Sequence, residues 1–166
     1  MTRRAIVGSG RLLTMAGART GATEPITGPW VLVLDGERIS EVRAGGLVPS
    51  DPEIVEDVGT ALVTPGLIDS HTHLVYAGDR SDEVAARSRG GHYTGGGILR
   101  TVAATTSASD EELVRETRLR LLAARGRGTT TIEVKSGYGL VKGEELRLLQ
   151  RIADASDGLP IRVRRT

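Results

Sequence analysis

The alternation of strand-like and helix-like segments after residue 64 constrains the fold of this chain more than any other feature. The apolar run "LIDSHTHLVYAG" comes first, and its composition predicts a strand buried on both faces. It is followed by helical patterns in "SASDEELVRETRLRLLAARGRG" and "KGEELRLLQRIADA", with strand-like segments "TTTIEV" and "IRVRR" after them. Strands that alternate with helices favour a parallel sheet covered by helices. The sequence therefore predicts an α/β fold.

The two helical patterns carry their own start and stop signals. Ser109 can cap the first helix, with Glu112 at the capping-box position, and Gly126 follows the last turn. The glycine-rich stretch 87–97 predicts a long loop. The residues expected to face the sheet are Val114, Thr117, Leu121, Leu122 and Arg125 in the first helix, and Leu146, Leu149, Ile152 and Ala153 in the second.

Residues 1–63 read as short strands joined by turns, without a helical period. "WVLVL", then Asp35-Gly36, then "ERISEV" predicts a hairpin, and "EIVEDVGTALVTPG" predicts another strand pair with Gly59 between its halves. We therefore expect a β segment over 1–63 and an α/β segment over 64–166. Three strands and two helices suit the opening of a (β/α)8 barrel, which takes about 250 residues. Because the chain ends within a strand, we expect it to be the front portion of a longer protein.

Composition excludes several classes of site and partner. The chain has no Cys, so any metal site must use His or carboxylate ligands rather than thiolates. Its 22 Lys and Arg against 21 Asp and Glu leave a net charge of +1, without the basic excess that nucleic-acid binding needs. The apolar run "WVLVL" is far too short to span a membrane. We expect a cytoplasmic protein with no nucleic-acid or membrane partner.

A His-x-His pair ends the first strand of the α/β segment. Residues i and i+2 of a strand point to the same face, so His71 and His73 project together. Two neighbouring imidazoles suit one ion, and a site built from His and carboxylate ligands accepts either Zn²⁺ or Fe. The alternative is that one His packs in the core while the other makes a hydrogen bond in a loop.

The residues around this pair resemble a known enzyme family. "TPGLIDSHTHL" resembles the first-strand signature of the amidohydrolase superfamily, and "HLVYAGDR", "GGGI", "TVAATTSASDEEL" and "GTTTIEVKSGYGL" together resemble the imidazolonepropionases within it. The resemblance implies a metal-dependent (β/α)8 TIM-type barrel preceded by a small β-sandwich segment. It also implies hydrolysis of the cyclic amide C–N bond of 4-imidazolone-5-propanoate to N-formimidoyl-L-glutamate, a step of histidine degradation, with one Zn²⁺ or Fe ion.

The same resemblance implies roles for individual residues. His71 and His73 would be two ligands of the ion, while Arg80, Tyr138 and Tyr93 would contact the small-molecule substrate. The chain departs from the family near Tyr93, since a single residue separates it from the Gly-Gly-Gly and the loop is shortened.

Each of these roles has an alternative. Arg80 can be a surface residue paired with Asp79 or Asp82, and "SGYG" by itself is only a turn. Lys135 reads as structural or as a hydrogen-bond donor to the site.

The rest of the site is expected elsewhere. The resemblance implies that the catalytic groups and further metal ligands lie beyond residue 166, so this chain alone is expected to be inactive. A homodimer is the assembly that the resemblance suggests. Two rival readings remain open at this point: another cyclic-amide hydrolase or deaminase of the superfamily, and a non-catalytic fragment.

Overall fold

The computed structural model describes residues 3–16, 24–46, 50, 54–90 and 96–166 and divides the chain into two compact units, Met1–Pro65 and Gly66–Thr166. The described elements of the first unit are β1 (Arg3–Gly8), β2 (Arg11–Leu12), β3 (Ile26–Thr27), β4 (Trp30–Asp35), β5 (Arg38–Ala44) and β6 (Ile54–Asp57). Those of the second are β7 (Leu67–Thr72), α1 (Ser81–Ser88), α2 (Gly96–Ser107), α3 (Asp110–Gly126), β8 (Thr129–Val134), α4 (Lys142–Ser156) and β9 (Arg162–Arg165).

The first unit is built from β-strands in the part that the structure describes. Its four-stranded sheet has the order β5-β4-β1-β6, with β1 antiparallel to β4 and parallel to β6, and β2 pairs with β3 separately. The predicted hairpin is confirmed, since β4 and β5 are antiparallel and Gly36 has a φ of 60° in their turn. Trp30, Val31 and Val33 are fully buried and anchor this unit.

The predicted strand pair around Gly59 is only half right. β6 supplies the first half, but beyond Gly59 a single bridge between Leu12 and Val63 replaces the expected strand. Asp57 explains the break, because its Oδ1 accepts a hydrogen bond from Gly59 N at 2.8 Å and closes a tight turn there.

The second unit confirms the predicted α/β alternation. Its sheet has the order β7-β8-β9 with both pairs parallel, and α3 and α4 follow β7 and β8 along the chain. One core cluster joins the sheet to these two helices. Its fully buried aliphatic members are Val75, Leu113, Leu121, Ile132, Val134, Leu148 and Ile152.

Helix α3 begins as predicted, whereas the predicted buried faces need correction. Ser109 Oγ accepts a hydrogen bond from Glu112 N at 3.2 Å, so the cap is confirmed. In α4 the buried residues are Leu148, Ile152 and Ala155, while Leu146 is 57% exposed. The apolar residues of α4 allow two overlapping stripes, and packing against α3 and β9 selects the one that begins at Leu148. Similarly, α3 buries Leu113, Thr117 and Leu121 and leaves Leu122 exposed.

Two helices were missed in the stretch that follows the His pair. The predicted loop 87–97 is helical at both of its ends, since α1 includes residues 87–88 and α2 includes residues 96–97. α1 is only eight residues long, and α2 begins with two glycines, which are poor helix formers.

The prediction that the first strand of this unit is buried on both faces is wrong. Leu67 is 56% and Ile68 73% exposed. Within the described residues β7 has β8 as its strand partner on one side and lies at an edge of the sheet. The buried apolar residues come just after it, at Val75 and Ala77, which belong to the same core cluster as Leu113 and Leu121 of α3.

Among the described residues, no helix is long and apolar enough to cross a membrane.

Candidate metal and substrate site

His71 and His73 lie together at the carboxyl end of β7. Their ring centroids are 5.4 Å apart with an angle of 58° between the ring planes. His71 is exposed, whereas His73 is half-buried and its Nδ1 is buried without a hydrogen-bond partner in the described part of the chain. Both side chains therefore lie close together at the end of the strand.

The two imidazoles fit a shared metal ion. Each ligating nitrogen lies about 2.0–2.1 Å from a bound zinc, so two imidazoles on one tetrahedral ion have centroids about 5 Å apart. The observed 5.4 Å agrees with that geometry. No group of three or more His, Cys, Asp or Glu able to hold a metal occurs among the described residues. Among the described residues, the His pair therefore provides at most two of the donors that a metal site needs.

The loop after β8 forms one wall beside His73. Gly137 has a φ of 68°, and a Cβ built on it would lie 2.4 Å from Cε1 and Nδ1 of the His73 ring. Tyr138 follows, with its ring centroid 5.5 Å from that of His73. A residue without a side chain is therefore required at 137, because the imidazole packs directly on the backbone there.

A second aromatic residue extends this wall. The ring of Tyr76 lies edge-on to Tyr138 at a centroid distance of 6.1 Å, and the Arg120 guanidinium lies 3.7 Å from the Tyr76 centroid. Arg120 Nη1 also donates hydrogen bonds to the carbonyls of Leu74 and Tyr76 at 2.7 and 2.8 Å. Helix α3 thus fixes the segment that follows the His pair, through charge-assisted hydrogen bonds and a cation–π contact.

Arg80 lies at the rim of a cavity of about 460 Å³ that also contains Tyr76 and Tyr138 in its lining. Arg80 Nη2 and Nε both donate to Glu83 Oε2, at 2.8 and 3.2 Å. The alternative reading named Asp79 or Asp82 as its partner, and those carboxylates instead pair with Ser81 and Arg100. Arg80 is half-buried, so it is neither a free surface residue nor wholly enclosed.

Tyr93 lies outside the described residues, so the structure brings together four of the five predicted site residues, which are His71, His73, Arg80 and Tyr138. Tyr138 connects the two halves of this group, since it contacts the His73 ring and lines the same cavity as Arg80.

Lys135 is a hydrogen-bond donor beside the His pair. Its Nζ donates to Glu133 Oε1 at 2.9 Å and to Thr166 Oγ1 at 3.1 Å. Hydrogen bonds from Lys135 and Thr166 lower the pKa of Glu133. This corner of the site is therefore an ordered polar network in which Glu133 stays ionised near neutral pH.

Sequence reasoning missed three residues of this region: Tyr76, Glu83 and Glu145. Tyr76 is three residues past His73 and was read only as part of an apolar run. Glu83 was overlooked because Asp79 and Asp82 are closer to Arg80 in the sequence. Its i,i+3 spacing from Arg80 indicates an ion pair only once α1 is known to be helical. Glu145 lies in α4 and gives no signal in the sequence, because its partners are in the preceding loop.

Comparison with known proteins adds a sequence relationship to this geometry. The chain is 50% identical to the imidazolonepropionase of Erwinia tasmaniensis over 115 residues, which cover 66% of this chain and 28% of that protein. It is 47% identical to the imidazolonepropionase of Salinispora tropica over 148 residues, covering 89% of this chain and 37% of that protein. The chain is a relative of the imidazolonepropionases. It spans about a third of the length of these imidazolonepropionases. No protein-family model matches it.

Solved structures that share this fold include hydrolases. A triazine hydrolase from Arthobacter aurescens matches all of this chain over 35% of its own, with a TM-score of 0.67 and 19% identity. An atrazine chlorohydrolase from Arthrobacter aurescens TC1, solved in complex with zinc, matches 98% of this chain over 35% of its own, with a TM-score of 0.64 and 19% identity. At these identities the likeness concerns the fold, while the relationship to imidazolonepropionase rests on the sequence.

Proposed function

We propose that this chain contributes two metal ligands and part of the substrate pocket to an imidazolonepropionase, which hydrolyses 4-imidazolone-5-propanoate to N-formimidoyl-L-glutamate. Tyr138 carries the proposal, because one side chain joins the His pair to the cavity that Arg80 borders. The sequence relationship to imidazolonepropionases supports the choice of reaction. Because the chain spans about a third of those relatives, the activity is proposed for the whole protein.

In this proposal each residue has a role that its position supports. His71 and His73 would hold one Zn²⁺ or Fe ion, which when bound supplies a Lewis acid that activates water for attack on a carbonyl carbon. The fork of Arg80 would bind the propanoate carboxylate, held in place by Glu83. Tyr138 would border the imidazolone ring beside His73, and Tyr76 would extend the aromatic side of the pocket.

The finer fold expectations belong to the same proposal. The β-rich unit would be part of a small β-sandwich, and the parallel sheet with its helices would be the opening of a (β/α)8 barrel. In that fold, active sites lie at the carboxyl ends of the strands, which is where His71, His73 and Tyr138 are found. The segments that complete the barrel would supply the remaining metal ligands and the proton-transfer groups.

Metal content and hydrolysis of the whole protein test this proposal directly. We expect His71→Ala and His73→Ala each to abolish stoichiometric metal binding, measured by inductively coupled plasma mass spectrometry, and to reduce kcat/KM by on the order of a hundredfold or more. His92→Ala is the matched control, because the family resemblance gives the third His no role. Full metal occupancy and full activity in His73→Ala would contradict the proposal.

Four expectations of the family resemblance remain proposals with their own tests. Tyr93→Phe and Tyr93→Ala would raise KM if that residue contacts the substrate. Analytical ultracentrifugation of the whole protein tests the homodimer, and cell fractionation tests the cytoplasmic location. The 166-residue chain with added Zn²⁺ should not consume the substrate, since its described residues offer two metal ligands where a catalytic zinc takes three.

A further inference from the structure

The loop 136–140, which carries Tyr138, has a backbone that needs support. Gly137 and Leu140 have φ values of 68° and 60°, in the left-handed region. For Leu140 that conformation is unfavourable, because its Cβ approaches the following carbonyl oxygen. Strained positions of this kind persist where surrounding contacts over-determine the backbone. The structure should therefore contain a contact that holds this loop.

Glu145 supplies that contact from the first turns of α4. Its Oε1 accepts a hydrogen bond from Leu140 N at 2.6 Å, whereas its Oε2 is buried without a hydrogen-bond partner in the described part of the chain. The Ser136 hydroxyl and the N–H groups of Gly137 and Gly139 lie near the same carboxylate and favour its charged form. The Leu140 amide is thus the donor that ties this carboxylate to the loop.

The ionisation of Glu145 reflects this arrangement. Burial is the largest single effect and raises its pKa, but the donors of Ser136, Leu140, Gly137 and Gly139 around the carboxylate together outweigh it and leave the pKa below the ordinary value. Glu145 is therefore a carboxylate at neutral pH and can accept the hydrogen bond from Leu140 N.

The loop also lies directly on the helix that carries Glu145. A Cβ at Gly139 would meet Glu145 N at 2.6 Å and the Glu144 carbonyl carbon at 2.8 Å. Gly139 is buried, and Ser136 is 8% exposed. The helix backbone and the Glu145 side chain thus fix the loop together, and through Gly137 and Tyr138 the loop borders His73.

We infer that Glu145 is a positioning residue of the proposed site, because it holds loop 136–140 so that Tyr138 lies between His73 and the substrate cavity. This rests on the proposed function in one respect, namely that Tyr138 contacts the substrate. Glu145 itself acts through the loop and takes no part in the chemistry.

The test compares two adjacent carboxylates of one helix in the whole protein. Glu145→Gln keeps the size of the side chain but removes its charge, and Glu145→Ala removes the contact. Glu144→Gln is the matched control, because the Glu144 carboxylate pairs with Arg147 at 3.1 Å and the variant keeps the Glu144 Cβ that lies beside Gly139. Amide hydrogen exchange of the metal-free protein is measured first, since it requires neither metal nor activity.

Exchange at the Leu140 amide should be about tenfold faster in Glu145→Ala, as expected for a lost hydrogen bond to a charged group, and Gly137 and Gly139 should exchange faster as well. Glu144→Gln should leave these amides unchanged. Equal exchange in Glu145→Ala and Glu144→Gln would overturn the inference. Glu145→Gln should lie between Glu145→Ala and the unmodified protein, because it retains one acceptor oxygen.

Kinetics then distinguish positioning from general stabilisation. Glu145→Ala should raise KM by on the order of tenfold to a hundredfold, the range expected when a substrate-positioning residue is displaced. The double variant Glu145→Ala/Tyr138→Ala should have a KM no higher than that of the worse single variant, because both changes remove the same contact. Additive effects would overturn the positioning role. If Tyr138→Ala alone leaves KM unchanged, the proposed role of Tyr138 fails, whereas the exchange data still decide whether Glu145 holds the loop.

Discussion

The two faces of the sheet β7-β8-β9 differ in what they contain. On β8, Ile132 and Val134 are buried against α3 and α4, while Thr131 and Glu133 point to the opposite side. We call these the helix-covered face and the open face. The helix-covered face is closely packed and aliphatic. The open face holds the Glu133–Lys135–Thr166 network next to His71.

This difference assigns stability and chemistry to different residues of the same strands. Neighbours along β8 differ in role because the side chains alternate, so a substitution of Val134 disturbs the core and one of Glu133 disturbs the polar network. The packed core and the polar network meet at the carboxyl ends of the strands. Gly137, in the loop that follows β8, contacts His73 there. Four predictions test how completely the two faces are separated.

The largest effect is expected on the helix-covered face. Leu148→Ala should lower the free energy of unfolding by about 2–5 kcal/mol, because Leu148 is 1% exposed and its removal leaves a cavity. Leu146→Ala in the same helix should cost no more than about 0.5 kcal/mol, since Leu146 is 57% exposed. Urea denaturation of the whole protein measures both. Similar losses in the two variants would contradict the assignment of Leu148, rather than Leu146, to the buried side of α4.

Gly137→Ala should affect both stability and the site. The added Cβ meets the His73 ring and a left-handed backbone is imposed on Ala, so we expect a loss of about 1–2 kcal/mol together with weaker metal binding. Gly143→Ala is the control, because a Cβ there meets no atom within 4 Å and Ala favours the helix by up to about 1 kcal/mol. Denaturation and metal titration of both variants provide the comparison. An unaltered metal affinity in Gly137→Ala would show that this loop does not influence metal binding by the His pair.

A smaller and purely functional effect is expected on the open face. Glu133→Gln should change the free energy of unfolding by less than about 0.5 kcal/mol, because its ion pair with Lys135 is solvent-accessible. Metal affinity should nevertheless fall by about tenfold, as is usual when a polar group next to a ligand is altered. Glu116→Gln in α3, whose partner Arg115 is on the surface, should change neither quantity. A large loss of stability in Glu133→Gln would mean that the open face also supports the fold.

The smallest effect concerns pH and the helix pair behind the sheet. The hydrogen bond from Arg147 holds the pKa of Asp110 below its ordinary value, with a further contribution from Arg151. A carboxyl whose pKa is lowered by folding stabilises the fold above the unfolded-state pKa, about 3.9, and this contribution is lost as pH falls through the folded-state value. The side chain of Asp110 is 43% exposed, so we expect the effect to stay below about 1 kcal/mol.

Asp110→Asn is the matching variant for this pH effect. It should be slightly less stable than the unmodified protein at pH 7, and the difference should vanish as pH falls below the lowered folded-state pKa, where the carboxyl is protonated. Urea midpoints measured from pH 2 to pH 7 show this convergence. A constant difference over that range would mean that the ionisation of Asp110 does not contribute.

Local features of the sequence predicted the local structure well. The Ser109 cap, the Asp35-Gly36 turn and the parallel strand–helix order all depend on residues close together in the chain, and each is confirmed. The spacing of His71 and His73 likewise predicted that they project together. Their roles as ligands, and those of Arg80 and Tyr138, stay predictions that the experiments above test.

Features that depend on distant residues were predicted poorly. The buried stripe of α4 begins at Leu148 because α3 and β9 pack there, and the apolar pattern of the helix is compatible with either choice. Helices α1 and α2 were missed, because α1 is short and α2 begins with two glycines in a glycine-rich stretch. The burial of β7 was overestimated, because an apolar composition shows what a strand can bury and not how many neighbours it has in the described chain.

Residues close together in the chain predicted the order of strands β7, β8 and β9 with helices α3 and α4, the hairpin turn, the α3 cap, and the pairing of two histidines at one strand end. These follow from backbone preferences and side-chain alternation over a few residues. The pairing of Arg80 with Glu83, the contact of Tyr138 with both His73 and a cavity, and the hydrogen bond of Glu145 to loop 136–140 became visible in the folded chain alone. Such contacts depend on which helix and strand surfaces meet, and that is set by the packing of the whole unit.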